Sequence, residues 1–329
     1  PNHLSAMYDI ISIGSATRDV LIESDQGASI PLGAKIEIKK MIVTTGGGGT
    51  NYAVAFARQG LKTACIGVIG SDANGRDVLT DLEADGVDVS MFEKHHDDDL
   101  TAYSVILVHP NAERTILSYK GEGQHFNAAE LDFSKLQTRW LFLDSLGGHY
   151  DLFEKLVHHA VKNNIKIACN PGGKELEHGL EKLKPLLAHI DILLLNRDEG
   201  NRLLNSNSEI LNSKQISMEL QKITNGIVSV SDGPKGVSVI DDKEKTYTAG
   251  IPDSPVVERT GAGDAYGSGF VSEYIRSGDI IKAIQFGTAN ASSVVTQFGA
   301  KAGILKSGPD ASVGVNWGPW PLVEVVKSP

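Results

Sequence analysis

Strand-like apolar runs alternate with helical runs along most of the chain, and this alternation predicts an α/β fold built on a mostly parallel sheet. Residues 192–195 read ILLL, a continuous apolar run that is typical of a strand buried on both faces. Two clusters of glycines each lead directly into a helical run. The sequence therefore predicts strand–turn–helix units, with glycine turns at the start of two helices.

The individual elements follow from the spacing of apolar residues and from the turn residues between the runs. Strands are predicted at residues 9–13, 63–68, 140–143, 165–169, 190–195 and 227–230. Helices are predicted at residues 51–58, 75–85, 151–162, 198–203, 213–223, 264–276 and 280–296. Residues 35–39 and part of 100–118 instead alternate polar and apolar side chains, which predicts strands with one solvent-exposed face.

Composition and charge indicate an acidic globular enzyme and argue against several classes of partner. The chain has 329 residues, of which 41% are hydrophobic and 22% are charged, enough for one large or two modest domains. A net charge of −10 argues against nucleic acid, because binding to phosphates needs surplus lysine and arginine. No apolar run reaches the ~18 residues of a membrane span, and Cys65 and Cys169 read as reduced core residues. We therefore expect a cytoplasmic protein without a membrane or nucleic-acid partner.

Residues 260–264 (TGAGD) form a turn that we name the late glycine turn. It leads into a helical run that continues to Ser277, and Gly278 stands where a C-terminal cap is expected. Unpaired N–H groups and the positive end of the helix dipole favour anions at such a helix start. Asp264 then has two interpretations: an N-cap residue, or a carboxylate that accepts the proton of a hydroxyl group attacking phosphorus.

Residues 46–49, four consecutive glycines, form what we name the early glycine turn. It leads through Asn51 into an alanine-rich helical run that is closed by Gly60. Consecutive glycines lose much conformational entropy on ordering, so such a run is useful where the backbone must pass close to a ligand. The alternative is a loose surface linker. A linker seldom runs directly into a capped amphipathic helix, which favours the ligand-binding interpretation.

Both turns, with the motifs between them, resemble the signatures of the ribokinase-like (PfkB) family of sugar and nucleoside kinases. That family has a GG-x-x-x-N turn near its N-terminus and a D-T-x-G-A-G-D turn near its C-terminus. The matching residues here are Gly46, Gly47 and Asn51 for the first turn and residues 258–264 (ERTGAGD) for the second. Family-like segments lie between them in family order, at residues 67–75 (GVIGSDANG), 113–115 (ERT), 196–199 (NRDE) and 231–236 (SDGPKG). The resemblance extends over residues 8–304, nearly the whole chain.

The resemblance implies a ribokinase-like three-layer α/β/α sandwich, with a central mostly parallel sheet and a small lid of β-strands. We expect the two alternating segments to form the lid, at residues 35–44 and 100–119. Residues 1–34, 45–99 and 120–329 are then expected to form the α/β domain that binds nucleotide and substrate. Closing a lid excludes water from a phosphoryl donor and suppresses its hydrolysis. An exposed lid edge also leaves open a homodimer through the lid, as in some family members.

The resemblance further implies that ATP phosphorylates a hydroxyl group of a small sugar or related polyol. Asp264 would act as the base, and the turn made by Gly261, Ala262, Gly263 and Asp264 would be the anion hole for the transferring phosphoryl group. The acceptor would be bound by Asp19, Gly46, Gly47 and Asn51. A carboxylate suits vicinal hydroxyl groups because it accepts two hydrogen bonds at once.

On the nucleotide side, the resemblance assigns Asn196, Glu199, Ser231, Gly233 and Gly236 to the binding of ATP and Mg²⁺. Mg²⁺ favours oxygen ligands and keeps several waters, so Glu199 would reach the metal through water. The same spacing fits an N-cap asparagine with a capping-box glutamate. Residues 232–235 likewise fit an ordinary β-turn. From the sequence, both alternatives stay open.

Several positions depart from the family pattern. Glu258 stands where an aspartate is usual, in a region that helps some members hold a monovalent cation, so activation by potassium is left open. Gly48 and Tyr52 replace the lysine and glutamine of the ribokinase version, which argues against ribose itself. Tyr52 either faces the substrate or packs in the core. Residues 95–99 (HHDDD) are interpreted as a solvated loop, because five adjacent side chains cannot all converge on one metal ion.

Three functions can be ranked on these observations. A kinase of sugars or polyols is preferred, and an adenosine-kinase-like nucleoside kinase of the same fold is the alternative. A dinucleotide-dependent oxidoreductase ranks third, because its G-x-G-x-x-G turn should follow the first strand. Residues 261–267 lie late in the chain and spell G-x-G-x-x-x-G.

Overall fold

The structure is a computed structural model that describes residues 7–23, 31–94, 100–109, 111–121, 125–126, 129–205, 210–306 and 322–328. Its strands are β1 (Tyr8–Ile13), β2 (Thr17–Glu23), β3 (Lys40–Gly46), β4 (Thr63–Ile66), β5 (Val68–Ile69), β6 (Glu93–Lys94), β7 (Tyr103–Val108), β8 (Arg114–Tyr119), β9 (Thr138–Leu143), β10 (Lys166–Cys169), β11 (Ile192–Asn196), β12 (Ile227–Ser231), β13 (Val237–Ile240), β14 (Thr246–Ala249) and β15 (Val325–Ser328). Its helices are α1 (Gly48–Arg58), α2 (Ala73–Ala84), α3 (Tyr150–Asn163), α4 (Gly173–Leu176), α5 (Leu180–Leu187), α6 (Arg197–Leu203), α7 (Ser213–Gln221), α8 (Ala262–Ser277) and α9 (Ile280–Val295). The sequence predicts a solvated loop at residues 95–99, and these residues lie outside the described ones.

A large sheet forms the centre of the molecule. Within the described ranges its strand order is β15-β14-β13-β12-β11-β10-β9-β1-β4. The strands from β4 to β12 in this order run parallel, and β13, β14 and β15 continue the sheet antiparallel. Every residue of β4 is buried, as are the first four residues of β11. Burial on both faces explains why these strands are continuous apolar runs in the sequence.

Helices cover both faces of this sheet. One face packs against α3, α5 and α7 in a core cluster that includes Leu156 and Ile216. The other face packs against α1, α8 and α9, where Phe56, Phe142 and Phe270 are fully buried. Each such phenylalanine contributes roughly 1.5–3 kcal/mol through removal of its side chain from water. The predicted three-layer α/β/α arrangement with a mostly parallel sheet is confirmed. No helix in the described part of the chain combines the length and apolar character needed to cross a membrane.

A second, smaller sheet has the order β3-β2-β7-β8. The strand predicted at residues 35–39 is wrong: β3 spans Lys40–Gly46, because the register pairs Lys40 with Glu23, the last residue of β2. Residues 35–39 precede that paired segment. β2 itself was not predicted, since Arg18 and Asp19 interrupt its apolar pattern. It lies within residues 1–34, which were expected in the α/β domain, yet its partners are β3 and β7.

Several other elements differ from the sequence prediction. The strand predicted at residues 63–68 divides at Gly67 into β4 and β5. A side chain at Gly67 would collide with the Phe92 ring, so this position needs glycine. The strands β13, β14 and β15 and the helices α4 and α5 were not predicted. The short strands carry polar residues, and α5 contains Pro185, which normally interrupts a helix. The seven predicted helices are confirmed, and Gly278 caps α8 with a φ of 66° as expected.

Candidate active site

The carboxyl ends of the parallel strands meet at one edge of the large sheet, where ligands bind in open α/β sheets. Asp144 is the first residue after β9, Asn170 is the first after β10, and Asn196 ends β11. The helices α1 and α8 start at the same edge, where Asn51 of α1 reaches Asp264 of α8. The structure therefore brings together residues that are 213 positions apart in the sequence.

The late glycine turn leads into α8, whose N-cap residue is Gly261 with a φ of 75°. A Cβ atom at Gly261 would lie 2.4 Å from the Cβ of Ala300, so the position needs glycine for its conformation and for space. Gly263 differs, because among the described residues no atom outside its chain neighbours and its own helix backbone lies within 4 Å of a Cβ atom built there. The second glycine of the turn therefore faces open space at the edge of the sheet.

The first N–H groups of α8 are only partly used by the protein. The Ala262 N–H donates to the carbonyl oxygen of Arg259 at 3.3 Å, which reduces its availability as a member of the predicted anion hole. The N–H groups of Gly263 and Asp264 have no acceptor among the described residues. Two unpaired donors and the positive end of a sixteen-residue helix thus point toward the same open space.

Asp264 is the third residue of α8 and makes no capping hydrogen bond, so the N-cap interpretation is wrong. Its Oδ2 accepts a hydrogen bond from Nδ2 of Asn51 at 2.7 Å. Burial raises the pKa of the Asp264 carboxyl group, while the Asn51 hydrogen bond and the charges of Lys301 and Arg114 oppose the rise. A carboxylate with a raised pKa is a stronger proton acceptor.

Asp19 lies on β2 with its carboxylate packed directly over Gly46 of β3. A Cβ atom at Gly46 would lie 1.8 Å from Oδ2 of Asp19, so only glycine fits beneath this carboxylate. The Thr17 hydroxyl donates to Oδ1 of Asp19 at 2.7 Å. The Asp19 side chain is only 8% exposed, and burial raises the pKa of its carboxyl group against the opposing effects of Thr17 and Lys301.

The rest of the early glycine turn is ordered and is not a loose linker. Gly47 has a φ of 90°, and a Cβ atom there would lie 2.5 Å from the carbonyl oxygen of Ser15. The Gly48 N–H donates to Oγ of Ser15 at 2.9 Å. The Thr50 hydroxyl donates to the carbonyl oxygen of Gly46 at 2.7 Å. These contacts hold the turn against the loop that follows β1.

Asp144 is a site residue that the sequence analysis missed. Its side chain is 8% exposed and accepts a hydrogen bond from Oγ of Ser15 at 3.1 Å. A Cβ atom at Gly48 would lie 2.4 Å from Oδ1 of Asp144. Burial and the charge of Asp264 raise the pKa of Asp144 to about 7. Its position directly after a predicted buried strand was the signal that could have identified it.

Asn196 and Glu199 form a complete capping box at the start of α6. Oδ1 of Asn196 accepts from the Glu199 N–H at 2.9 Å, and Oε2 of Glu199 accepts from the Asn196 N–H at 2.8 Å. Burial also raises the pKa of Glu199, and the charge of Asp264 adds to the rise. The described residues contain no group of three His, Cys, Asp or Glu side chains arranged to hold a metal ion. Oxygen donors in this arrangement fit Mg²⁺ held through water.

The two glycines after β12 serve different purposes. Gly236 has a φ of 89°, and a Cβ atom there would collide with the carbonyl oxygen of Ala249 on β14, so this glycine is required by the fold. Gly233 has a φ of 52°, and no described atom beyond its chain neighbours lies within 4 Å of a Cβ atom built there. Ser231 ends β12 beside Asn196 in the register. Gly233 therefore leaves room near the end of β12, where Ser231 lies beside Asn196.

Two further residues complete the surroundings of the site. Tyr52 is 1% exposed and stacks on Phe142 with ring centroids 3.8 Å apart, so the core-packing interpretation is confirmed. Lys301, which belongs to no motif, is 9% exposed and hydrogen-bonds to Oγ1 of Thr50 at 3.1 Å. A single lysine outside helices and strands carries no sequence signal that would have identified it.

Comparison with known proteins identifies a family for this chain. The model of the pfkB family of carbohydrate kinases matches residues 7–307. The ribokinase of Haemophilus influenzae is 27% identical, over 86% of this chain and 92% of its own length. The nucleoside kinase of Methanothermobacter thermautotrophicus is 24% identical, over 93% of this chain and 95% of its own. The structure of Arabidopsis thaliana ribokinase with ribose and ATP has a TM-score of 0.76 at 22% identity, covering 92% of this chain and 96% of that chain.

Proposed function

Because the chain belongs to the pfkB family of carbohydrate kinases, we propose that it transfers the γ-phosphoryl group of ATP to a hydroxyl group of a small sugar or related polyol. One observation carries this proposal. The Asp264 carboxylate lies beside unpaired N–H groups at the start of α8, and Asn51 holds it at 2.7 Å at the ligand-binding edge of the sheet.

In the proposed reaction, Asp264 accepts the proton of the acceptor hydroxyl group as its oxygen attacks the γ-phosphorus atom. The bond between that phosphorus and the bridging oxygen breaks, and ADP leaves. The N–H groups of Gly263 and Asp264 stabilise the charge on the transferring group, with Gly261 shaping the turn. Ala262 contributes less than its neighbours because its N–H already donates to Arg259.

We propose that the acceptor lies between Asp264 and the early glycine turn. Asp19 accepts hydrogen bonds from two of its hydroxyl groups, and Gly46 and Gly47 let it approach the backbone. Oδ1 of Asn51 is buried and has no partner among the described residues, so it is available to a hydroxyl donor. Asp144 provides a third buried carboxylate on this side, held by Ser15. Several hydroxyl donors on the acceptor would satisfy these oxygens.

ATP is the proposed donor, with Asn196, Ser231, Gly233 and Gly236 near its phosphates and ribose. Glu199 would contact Mg²⁺ through water, and the metal would neutralise charge on the phosphates. Both carboxylate oxygens of Glu258 accept N–H bonds at 2.9 Å, from Thr260 and Gly299, which fixes this side chain beside the late glycine turn. A comparison of rates in potassium and tetramethylammonium buffers would decide whether a monovalent cation activates the enzyme.

The small sheet is the proposed lid, comprising residues 35–44 and 100–119 together with β2. It contacts the larger unit through Glu113, whose Oε1 lies 3.7 Å from Nη1 of Arg259 beside the late glycine turn. Phe298 packs against its inner face in a cluster with Leu21 and Ile106. Closure would exclude water during transfer. We place the enzyme in the cytoplasm, where ATP and small sugars are available.

A homodimer through the lid is a further part of this proposal. The outer face of the small sheet exposes four large apolar side chains, Met41, Val43, Leu117 and Tyr119, by 58%, 44%, 57% and 55%. Such a patch favours association with a second copy. Sedimentation of the native chain beside Leu117→Asp would test this: a dimer converted to a monomer supports the interface, and a monomeric native chain contradicts it.

A nucleoside kinase is the second candidate function, because the Methanothermobacter relative is a nucleoside kinase with a similar share of matched sequence. A coupled assay of ADP formation should compare sugars, sugar acids, sugar phosphates and nucleosides, with Asp264→Asn as the inactive control. We expect one class to give a phosphorylated product that mass spectrometry identifies. A nucleoside as the best acceptor would favour the second candidate. If no acceptor increases the rate of ADP formation, both candidate functions are contradicted.

A further inference from the structure

Building on the proposed function, we propose that Lys301 is a positioning residue of the reaction. Its ammonium group fixes both ends of the early glycine turn and supplies positive charge near the buried carboxyl groups of Asp19 and Asp264. Lys301 lies after α9, outside every motif of the sequence. The proposal stands on its hydrogen bonds, its burial and the charges that surround it.

The hydrogen bonds place the ammonium group between the two ends of the early glycine turn. Nζ of Lys301 donates to the carbonyl oxygen of Thr45, at the end of β3. It also donates to Oγ1 of Thr50 at 3.1 Å, in the first turn of α1. The Thr50 hydroxyl in turn donates to the carbonyl oxygen of Gly46. The Lys301 ammonium group therefore joins Thr45 and Thr50, the residues on either side of the early glycine turn. This turn must keep its shape because it lies under Asp19 and beside Asp144.

The backbone around Lys301 is itself fixed. Nη1 of Arg58 donates to the Lys301 carbonyl oxygen at 2.5 Å, and the Arg58 guanidinium is held by Asp85 at 2.7 and 2.9 Å. Two residues earlier, the Gly299 N–H donates to Glu258, which also accepts from Thr260 of the late glycine turn. The segment that carries Lys301 is therefore attached to both glycine turns.

The charge of Lys301 is the second part of the inference. A buried ammonium group is costly unless opposite charge compensates it. Within the described residues, Lys301 makes no ion pair shorter than 4 Å, and its direct partners are neutral oxygens. Compensation comes from a wider set of carboxylates, which act on Lys301 from three elements: Asp19 on β2, Asp264 on α8 and Asp81 on α2.

The coupling acts in both directions. Burial lowers the pKa of Lys301 to about 8, and the charges of Asp19 and Asp264 oppose this decrease. Reciprocally, the charge of Lys301 opposes the rise that burial imposes on the pKa of Asp19 and of Asp264. Removing the charge should therefore raise the pKa of both carboxyl groups. More of the enzyme would then hold Asp264 protonated at neutral pH, where it cannot accept a proton.

Two substitutions separate the charge from the hydrogen bonds. Lys301→Gln removes the charge but keeps an NH₂ group that can donate toward Thr45 and Thr50. Lys301→Met removes both. Lys155→Met, at an exposed position on α3, is the matched control. Circular dichroism and thermal unfolding would establish that each variant folds, and Lys301→Gln keeps the test decisive where Lys301→Met does not fold.

The decisive measurement is a pH titration of ¹³C-labelled aspartate carboxyl groups by NMR, with Asp264→Asn and Asp19→Asn used for assignment. Opposite charges close to a carboxyl group change its pKa by about 1–3, and we expect the Asp264 value to rise by roughly 1 in both Lys301 variants. The Lys155 control should leave it unchanged. An unchanged Asp264 pKa in folded Lys301→Gln would overturn the proposal.

Kinetics add a second readout. We expect the acid limb of the kcat profile to move to higher pH in both Lys301 variants. The acceptor KM should rise more in Lys301→Met than in Lys301→Gln, while the ATP KM changes little. If both variants have the same acceptor KM as the native enzyme, Lys301 does not fix the early glycine turn in the way that we propose. If the native enzyme phosphorylates no acceptor, the proposed function fails, but the carboxyl titration still decides whether Lys301 controls the charge of Asp264.

Discussion

The two glycine turns have similar sequences but opposite surroundings. In the early glycine turn the space above the glycines is filled by the protein: Asp19 lies over Gly46, and Asp144 lies over Gly48. In the late glycine turn, Gly263 faces open space and the first N–H groups of α8 are partly unpaired. Glycine thus makes room for carboxylates in one turn and leaves backbone donors accessible in the other. The first arrangement suits hydroxyl groups, and the second suits an anion.

The largest effect is expected from Asp264→Asn, which keeps the shape of the late glycine turn but removes its base. General-base catalysis contributes typically about 10²–10⁴-fold, so kcat should fall at least about a hundredfold. The KM values for ATP and acceptor should change little, because the amide can still contact Asn51. Steady-state kinetics beside the exposed control Asp253→Asn would measure this. Near-native turnover would remove Asp264 from the mechanism.

The next largest effect is expected in the early glycine turn. Gly46→Ala would place a methyl group 1.8 Å from Oδ2 of Asp19, so the carboxylate or the strand must move. Overpacking of this kind costs about 1–3 kcal/mol of unfolding free energy. We expect a higher acceptor KM with little change in the ATP KM, measured by kinetics and by urea denaturation. A variant with native stability and native acceptor KM would show that Asp19 does not depend on this contact.

A pH-dependent effect should come from Asp144, the other carboxylate above the early glycine turn. Its pKa in the folded protein is about 7, whereas an unfolded aspartate has a pKa of about 3.9. Between these values the folded state binds a proton that the unfolded state lacks, so the unfolding free energy decreases as pH rises from about 4 to about 7. Asp144→Asn has no ionisable group at this position, so its unfolding free energy should not decrease in this way as pH rises.

We therefore expect Asp144→Asn to be more stable than the native protein at pH 8, by up to about 4 kcal/mol. The difference should shrink as pH falls toward 4 and vanish below it, where Asp144 is protonated in both the folded and the unfolded state. Chemical denaturation at several pH values would measure both quantities, with Asp253→Asn as the control. A stability difference that stays constant across this pH range would contradict the assigned ionisation.

The smallest effect is expected in the late glycine turn. Gly263→Ala adds a methyl group with no atom within 4 Å, at a helical position whose φ is not positive. Alanine in place of glycine stabilises a helix by up to about 1 kcal/mol, and the N–H group is retained. We expect slightly higher thermal stability but a moderately lower kcat, because the methyl group enters the space that the α8 donors face. Thermal unfolding and steady-state kinetics would measure both, and a stability loss as large as that of Gly46→Ala would show that the two turns do not differ as described.

Much of this fold could be predicted from the sequence, because buried parallel strands and amphipathic helices have distinct apolar patterns. The helices α1, α8 and α9 and the strands β1, β9 and β12 are examples. The small sheet was predicted less well. β3 begins five residues after the predicted start, because its position depends on pairing with β2. In addition, a strand with one solvent-exposed face has a weaker apolar pattern than a buried strand. The site was incomplete because Asp144 and Lys301 stand outside the glycine motifs.

The sequence by itself determined the layered α/β class and the two glycine turns, because local apolar periodicity and glycine content are written in neighbouring residues. The tertiary structure alone decided which distant side chains meet at those turns. Asn51 reaches Asp264, and Asp19 covers Gly46. Lys301 contacts Thr45 and Thr50, which lie 256 and 251 positions earlier in the sequence. Such contacts depend on the packing of α1 and α8 against the same face of the sheet, and no local pattern encodes them.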